Sequence, residues 1–209
     1  MRLLVFGASG RTGQEVIRQA AARALQVTAF VRRPDKLRAA AESVSIVTGN
    51  VADAGAVHAA VQGHDHVVCA LGVAAPLKHD ADVIAGIRNI LSAMETHGVR
   101  RLIYVSFIGV HDSRHAVGFI LRYIAPIPLR HEIRDHEVKE ELVRKSPLDW
   151  TIVRPPKLTT GPQTGRYRVG ENIRTIAPVP MLSRADLADF ILKELDQARF
   201  IRGSPRLLR

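Results

Sequence analysis

Three glycines, Gly7, Gly10 and Gly13, stand three residues apart, directly after the apolar run Leu3-Leu4-Val5-Phe6 and directly before a helical pattern. The chemistry such a turn offers is the holding of a diphosphate. Gly7 permits a tight turn off a buried strand, Gly10 has no Cβ to keep the backbone away from a pyrophosphate, and Gly13 lets the next helix pack close. The N–H groups around Ser9, Gly10, Arg11, Thr12 and Gly13 then face the anion at the start of that helix. The spacing is G-x-x-G-x-x-G rather than G-x-G-x-x-G, so the flanking strand and helix carry as much of the argument as the glycines do. A second group closes the following strand, Val31-Arg32-Arg33-Pro34-Asp35-Lys36. An NAD site usually places Asp or Glu there for the ribose 2′-hydroxyl. A guanidinium instead matches a phosphate with two parallel charge-assisted bonds. Behind the glycine turn, Arg32 and Arg33 therefore argue for NADP(H); read alone they are equally two solvated arginines. Asp35 follows Pro34 and reads as a helix cap. Ser106 ends the run Arg101-Leu102-Ile103-Tyr104-Val105. At the carboxyl edge of an open α/β sheet, where ligands bind, it is either a working hydroxyl or a strand-end cap.

Alternating strands and helices are needed to position these groups. Val16, Ile17, Ala20, Ala21 and Ala24 give a helix with one apolar face, and 26–31 a second strand, so the first unit is β-α-β and should be parallel and right-handed. A third strand at 44–48 leads to Asn50 and Val51, where a polar residue either meets the adenine or closes a turn. A helix near 54–61 precedes a fourth strand, 66–71, whose small end, Ala70-Leu71-Gly72, leaves room for a cofactor beside the glycine turn. A long helix from Asp80 to about His97 should end at Gly98 as its C′ residue, with Asn89 tying down neighbouring backbone. After Ser106 the stretch 107–130 has neither helical nor strand periodicity and reads as a substrate wall, or as a short packing helix around Val117–Tyr123. Glu132–Lys145 is a helix with Ile133, Val138, Leu142 and Val143 inward, and 149–153 a sixth strand closed by Arg154-Pro155-Pro156. A short strand near 166–169, a capping box at Ser183-Arg184-Ala185-Asp186 and a possible tail strand complete the chain.

The 209 residues fit one domain, 1–209, with a substrate side around 107–131 and 155–182. The single cysteine, Cys69, sits in an apolar strand, which excludes an internal disulfide and suits a reducing, cytoplasmic setting. No leader-like or membrane-length apolar run is present in the sequence. A net charge of +10 could mean nucleic acid, but the arginines are scattered and aromatics are only 5%, so a basic surface favouring anionic small molecules is expected and nucleic acid is not. The histidines lack metal-ligand spacing.

Taken together, Phe6-Gly7-Ala8-Ser9-Gly10-Arg11-Thr12-Gly13, Val31-Arg32, Ala70-Leu71-Gly72, Arg88-Asn89-Ile90, His97-Gly98-Val99, Val105-Ser106, Asp135-His136, Trp150-Thr151-Ile152-Val153-Arg154-Pro155-Pro156 and Ser183-Arg184-Ala185-Asp186-Leu187 resemble the atypical short-chain dehydrogenase/reductases of the NAD(P)-binding, NmrA-like group. Within it the likeness is to the biliverdin-IXβ reductases, also called flavin reductases. The resemblance implies a Rossmann-like, doubly wound parallel sheet flanked by helices on both faces, binding NADP(H) with the nicotinamide over Ser106 and beside Pro155. It implies site roles for Ser106 and His136, and for Lys157, which stands where those reductases carry a histidine. No Tyr-x-x-x-Lys is present, since neither Tyr104 nor Tyr123 has a lysine four residues on.

Two functions follow. One is an NADPH-dependent reduction of flavins or related conjugated acceptors, tetrapyrroles or quinones, by a monomer with no membrane partner. Hydride placement dominates such chemistry, because the acceptor itself spreads the charge. The other, motivated by the missing tyrosine motif and the charge, is a non-catalytic NADP(H)-binding redox sensor of the NmrA-like type.

Overall fold

The computed structural model describes residues 1–37, 44–72, 81–118 and 126–209. Six strands form one parallel sheet: β1 (Arg2–Phe6), β2 (Gln26–Val31), β3 (Val44–Thr48), β4 (His66–Cys69), β5 (Arg101–Val105) and β6 (Asp149–Val153). Their order is β3-β2-β1-β4-β5-β6, so the winding reverses direction between β1 and β4. That reversal opens a crevice above the carboxyl ends of β1 and β4, the place where such sheets take ligands.

The sheet is covered on both faces, which is why its strands read as continuous apolar runs rather than alternating ones. Leu3 and Val5 of β1 pack on one side with helices α1 (Arg11–Ala22) and α5 (Arg184–Gln197). Leu4 and Phe6 pack on the other with α2 (Ala54–Val61) and α3 (Ala81–Thr96). A fifth helix, α4 (Pro126–Lys145), lies on that second side and adds Val143 to its core. The end of α3 is closed as expected: Gly98 takes φ +68° and the Val99 N–H donates to the Met94 carbonyl. Asn89 donates to the Val51 carbonyl at 2.9 Å, fixing the loop after β3.

Two small ribbons edge the carboxyl side. β7 (Lys157–Thr159) pairs in parallel with β9 (Met181–Ser183), and β8 (Arg168–Gly170) pairs antiparallel with β10 (Arg206–Leu208). The tail also runs beside β6, with Ile152 and Arg154 donating to the Gly203 and Pro205 carbonyls.

Four local expectations are corrected. The stretch after Ser106 is not without regular structure: a 3-10 helix spans His111–Ala116, and α4 starts at Pro126 rather than Glu132. Val138 does not point inward but is 37% exposed; its place is taken by the buried polar side chains of Asp135, His136, Lys139 and Glu140. Asp35 is no cap; it lies inside the 3-10 turn Pro34–Lys36, whose N-cap is Arg33. Only half of the capping box forms. Ser183 Oγ accepts the Asp186 N–H at 3.0 Å, but the Asp186 carboxylate turns away to the N–H groups of Thr164 and Gly165 and the Thr164 hydroxyl. Residues 119–123 of the anticipated packing helix, and Asp80, lie outside the described residues.

Candidate functional site

The glycine turn is shaped by contacts that leave no room for side chains. Gly7 has φ +76°, and a Cβ there would stand 2.4 Å from the Ala70 carbonyl oxygen. A Cβ on Gly13 would stand 2.3 Å from the Gly7 carbonyl oxygen, so the helix packs on the turn itself. Gly10 is the N-cap of α1, with extended backbone and no side-chain cap bond. The first-turn N–H groups are thus offered outward rather than satisfied internally, as an anion site requires. The Ala70 N–H donates to the Phe6 carbonyl, which draws Ala70, Leu71 and Gly72 up against the same turn. Among the described residues nothing lies within 4 Å of an added Cβ at Gly72.

At the end of β2, Arg32 and Arg33 are exposed and, among the described residues, make no ion pair. Beyond β3, the Asn50 side-chain oxygen accepts the Ala52 N–H at 3.1 Å and closes a turn, while Val51 is buried against α3, its Cγ2 2.6 Å from where a Gly86 Cβ would sit.

Ser106 follows β5 as expected, its N–H bonded to the Val153 carbonyl and its side chain buried. Its Oγ lies 3.4 Å from His136 Nδ1, and the Tyr104 hydroxyl lies 3.4 Å from the same nitrogen. Phe107 meets the His136 ring edge-on at 4.8 Å. Strand β5 and helix α4 thus bring Ser106 and His136, 30 residues apart, into one buried group. Burial first, and the Lys139 cation second, hold the His136 pKa down at about 3, so the imidazole is neutral at pH 7. Burial raises the Tyr104 phenol well above its usual range and the Cys69 thiol to about 12, which keeps both protonated. Pro155 is buried beside this group, its carbonyl accepting the Ile108 N–H. Lys157 opens β7 on the exposed edge and, among the described residues, has no ion pair.

Sequence reasoning missed the layer beneath. Arg154, fully buried, donates from Nε and Nη2 to both oxygens of the buried Glu140 carboxylate at 3.1 and 2.6 Å. Its Nη1 donates to Asp112 at 2.7 Å, and Arg206 reaches the other Asp112 oxygen at 2.7 Å. Burial opposes the Arg154 charge, but Glu140 and Asp112 outweigh it and raise its pKa. This network anchors the 3-10 segment after Ser106 to α4, β6 and the tail. The Thr175 N–H bonds the Ala116 carbonyl, so the two segments expected to form the substrate side meet. One sequence signal was available: Ile133, His136, Lys139 or Glu140, and Val143 recur at the spacing of a core stripe, although their types are polar. Among the described residues no group of His, Cys, Asp and Glu is arranged to hold a metal ion, and no helix is long and apolar enough to cross a membrane.

Residues 7–198 match the NAD(P)H-binding family, and the chain belongs to it. It is 30% identical over 177 residues to an uncharacterised chloroplastic protein of Arabidopsis thaliana, covering 78% of this chain and 61% of that protein. It is 33% identical over 153 residues to a (4-alkanoyl-5-oxo-2,5-dihydrofuran-3-yl)methyl phosphate reductase of Streptomyces griseus, covering 73% of this chain but only 46% of the reductase. Among solved structures, the anaerobillin reductase ChuY of Escherichia coli O157:H7 superposes with a TM-score of 0.81 at 24% identity, covering 100% of this chain and 97% of ChuY. The doubly wound fold and an NAD(P)H cofactor are therefore properties of this chain.

Proposed function

We propose that this protein is an NADPH-dependent reductase that passes hydride to a conjugated acceptor: a flavin, a biliverdin-like tetrapyrrole or a quinone. The observation that carries this reading is the buried contact of Ser106 with His136 on the same sheet edge as the glycine turn. In it, Gly7, Ser9, Gly10, Arg11, Thr12 and Gly13 hold the diphosphate. Arg32 and Arg33 take the 2′-phosphate, Asn50 and Val51 border the adenine, and Ala70, Leu71, Gly72, Ser106 and Pro155 border the nicotinamide. The bound dinucleotide supplies the hydride.

The residues around that hydride position and polarise rather than protonate. A neutral His136 has no acidic proton to give at pH 7. Only one of the two hydroxyls 3.4 Å from His136 Nδ1 can point its hydrogen along that nitrogen's lone pair. When Tyr104 does so, the Ser106 O–H is left to donate to the acceptor. A conjugated acceptor spreads the incoming electron pair, and a proton from solvent completes the reduction. Lys157, exposed at the mouth, is suited to an anionic group such as a flavin phosphate. The reductase names of the Streptomyces relative and of ChuY support this class of chemistry.

The test is NADPH oxidation with riboflavin, FMN, dichlorophenolindophenol, quinones and biliverdin. Turnover well above the uncatalysed rate with at least one acceptor is expected. Tight NADPH binding without turnover on any of them would overturn it in favour of the redox-sensor reading, for which a partner captured with NADP⁺ but not NADPH is the positive sign.

A further inference from the structure

The cations around the glycine turn are not exhausted by Arg32 and Arg33. A groove of about 1290 Å³ opens beside the turn, and Ser9, Arg11, Lys36, Thr160, Gly161 and Arg184 line it. Arg184 is the first residue of α5 and Arg11 the first of α1. They come from opposite ends of the sequence, yet burial and the facing Arg11 charge together draw Arg184 below the usual arginine range. Among the described residues neither guanidinium has a hydrogen bond or ion pair. Two acids, Glu15 and Asp35, line the groove; Glu15 is already engaged by Arg18 and Gln19, and among the described residues Asp35 pairs with neither arginine.

Both arginines start from rigid supports. Ser183 Oγ donates to the Pro162 carbonyl at 3.0 Å while accepting the Asp186 N–H, and Asp186 takes three bonds from Thr164 and Gly165. This is why the second half of the capping box is missing: Asp186 is used to tie the 160–165 loop onto the first turn of α5. On the other wall, Gln14 Nε2 donates to the Ser9 and Lys36 carbonyls at 2.8 and 3.1 Å, clasping the Lys36 turn to the glycine turn. Two like charges on one groove, neither with an ion pair among the described residues, disfavour each other, unless an anion binds beside them.

We infer that Arg184 is a phosphate-binding residue, closing with Arg11 on a phosphate of the bound dinucleotide from the α5 side of the groove. This rests on the NADPH reading above. It joins cofactor binding to the loop that leads from the acceptor-side ribbon, because Thr160 and Gly161 share the groove with Arg184.

The test uses the whole protein, with Arg184→Gln and Arg184→Lys titrated at equilibrium with NADPH and with NADH, Arg32→Glu in parallel, and melting followed with and without NADPH. Arg184→Gln should weaken NADPH about tenfold or more, the loss expected for a charge-assisted phosphate bond, with Arg184→Lys recovering part. Without cofactor the Gln variant should melt no lower than the unaltered protein, while the rise in melting temperature given by NADPH shrinks. An equal loss for NADH assigns the pyrophosphate; a loss confined to NADPH assigns the 2′-phosphate. Unchanged affinities, or a cofactor-free variant that melts lower, would overturn the inference. If Arg32→Glu weakens NADPH while Arg184→Gln does not, only the Arg184 inference falls; if the unaltered protein binds neither dinucleotide, the NADPH reading falls with it.

Discussion

The glycine-turn end of the sheet edge is made of backbone, and the Ser106–His136 end is made of buried side chains. At the first, Gly7 and Gly13 fit because nothing larger can, and the N–H groups of α1 face outward with no side-chain cap. The charges there, Arg32 and Arg33, are exposed and unpaired among the described residues. At the second, Ser106 and His136 lie in one buried group, and the same helix α4 carries Glu140, paired with the fully buried Arg154, which Asp112 of the 3-10 segment also bonds. The first end presents uncapped N–H groups and exposed cations, the groups that suit an anion. The second bonds its own groups to one another and holds them still.

The largest expected effect tests that internal satisfaction. Glu140→Ala leaves the Arg154 guanidinium buried with only the partly exposed Asp112 as a partner, and should cost about 3–5 kcal/mol in urea unfolding. A loss below about 1 kcal/mol, the range of a surface pair, would break the contrast between the two ends.

The same contrast explains what could be read from the sequence. The glycine turn was legible because its constraints are local: a positive φ, a missing Cβ and a strand on one side with a helix on the other. The parallel pairing of β1 with β2 followed from the β-α-β alternation, and Asn89 and Gly98 from their places in and after α3, whereas the order of the six strands came only with the structure. The Arg154 network was not legible, because its bonds span 14 residues to Glu140 and 42 to Asp112. Helix α4 misled for a related reason. Val138 is apolar and exposed while Lys139 and Glu140 are charged and buried, so tertiary pairing overrode the pattern that hydrophobicity alone would give. Ser106 was placed correctly by its strand-end position, but the hydroxyl of Tyr104 beside His136 was invisible without knowing that β5 and α4 pack together.

The next effect belongs to the receiving end. Arg32→Glu should weaken NADPH by about 1.5–3 kcal/mol, the range for a charge-assisted bond, with little effect on NADH. The melting temperature of the cofactor-free protein should hold, because among the described residues Arg32 has no partner to lose. Equal weakening of both dinucleotides would remove Arg32 from the 2′-phosphate.

At the satisfied end, His136 should be visible as a proton that the unfolded chain binds and the folded chain refuses. Its folded pKa, about 3, lies below the ordinary 6.5, so the stability it confers is complete above pH 6.5 and is lost as pH falls toward 3. Between about pH 6 and 4 the unfolding free energy should fall by up to roughly 1.4 kcal/mol per pH unit on this account, and His136→Gln should flatten that slope. His64 and His66, also held low by burial, contribute equally to both proteins and cancel in the difference. The depressed carboxylates of Glu15, Asp65, Asp112, Asp149 and Asp186 begin to act in the lower part of this window, and they too are common to both proteins and cancel in the difference. An unchanged slope would mean that His136 is charged or solvated, and the polarising role given to Ser106 would lose its support.

The smallest effect asks whether the receiving character extends to the mouth of the acceptor site. Lys157 is exposed, so any pair it makes with a ligand is screened by water and worth at most about 1 kcal/mol. Lys157→Ala should therefore raise KM for FMN by roughly two- to fivefold, leave riboflavin nearly unaffected, and spare kcat for both. The discrimination should fade as ionic strength rises toward about 1 M, where the screening length falls to roughly 3 Å. A matching rise in KM for riboflavin would show that Lys157 acts through the shape of the mouth rather than its charge. A fall in kcat alone would move it inward, to join Ser106 and His136 among the groups that place the acceptor.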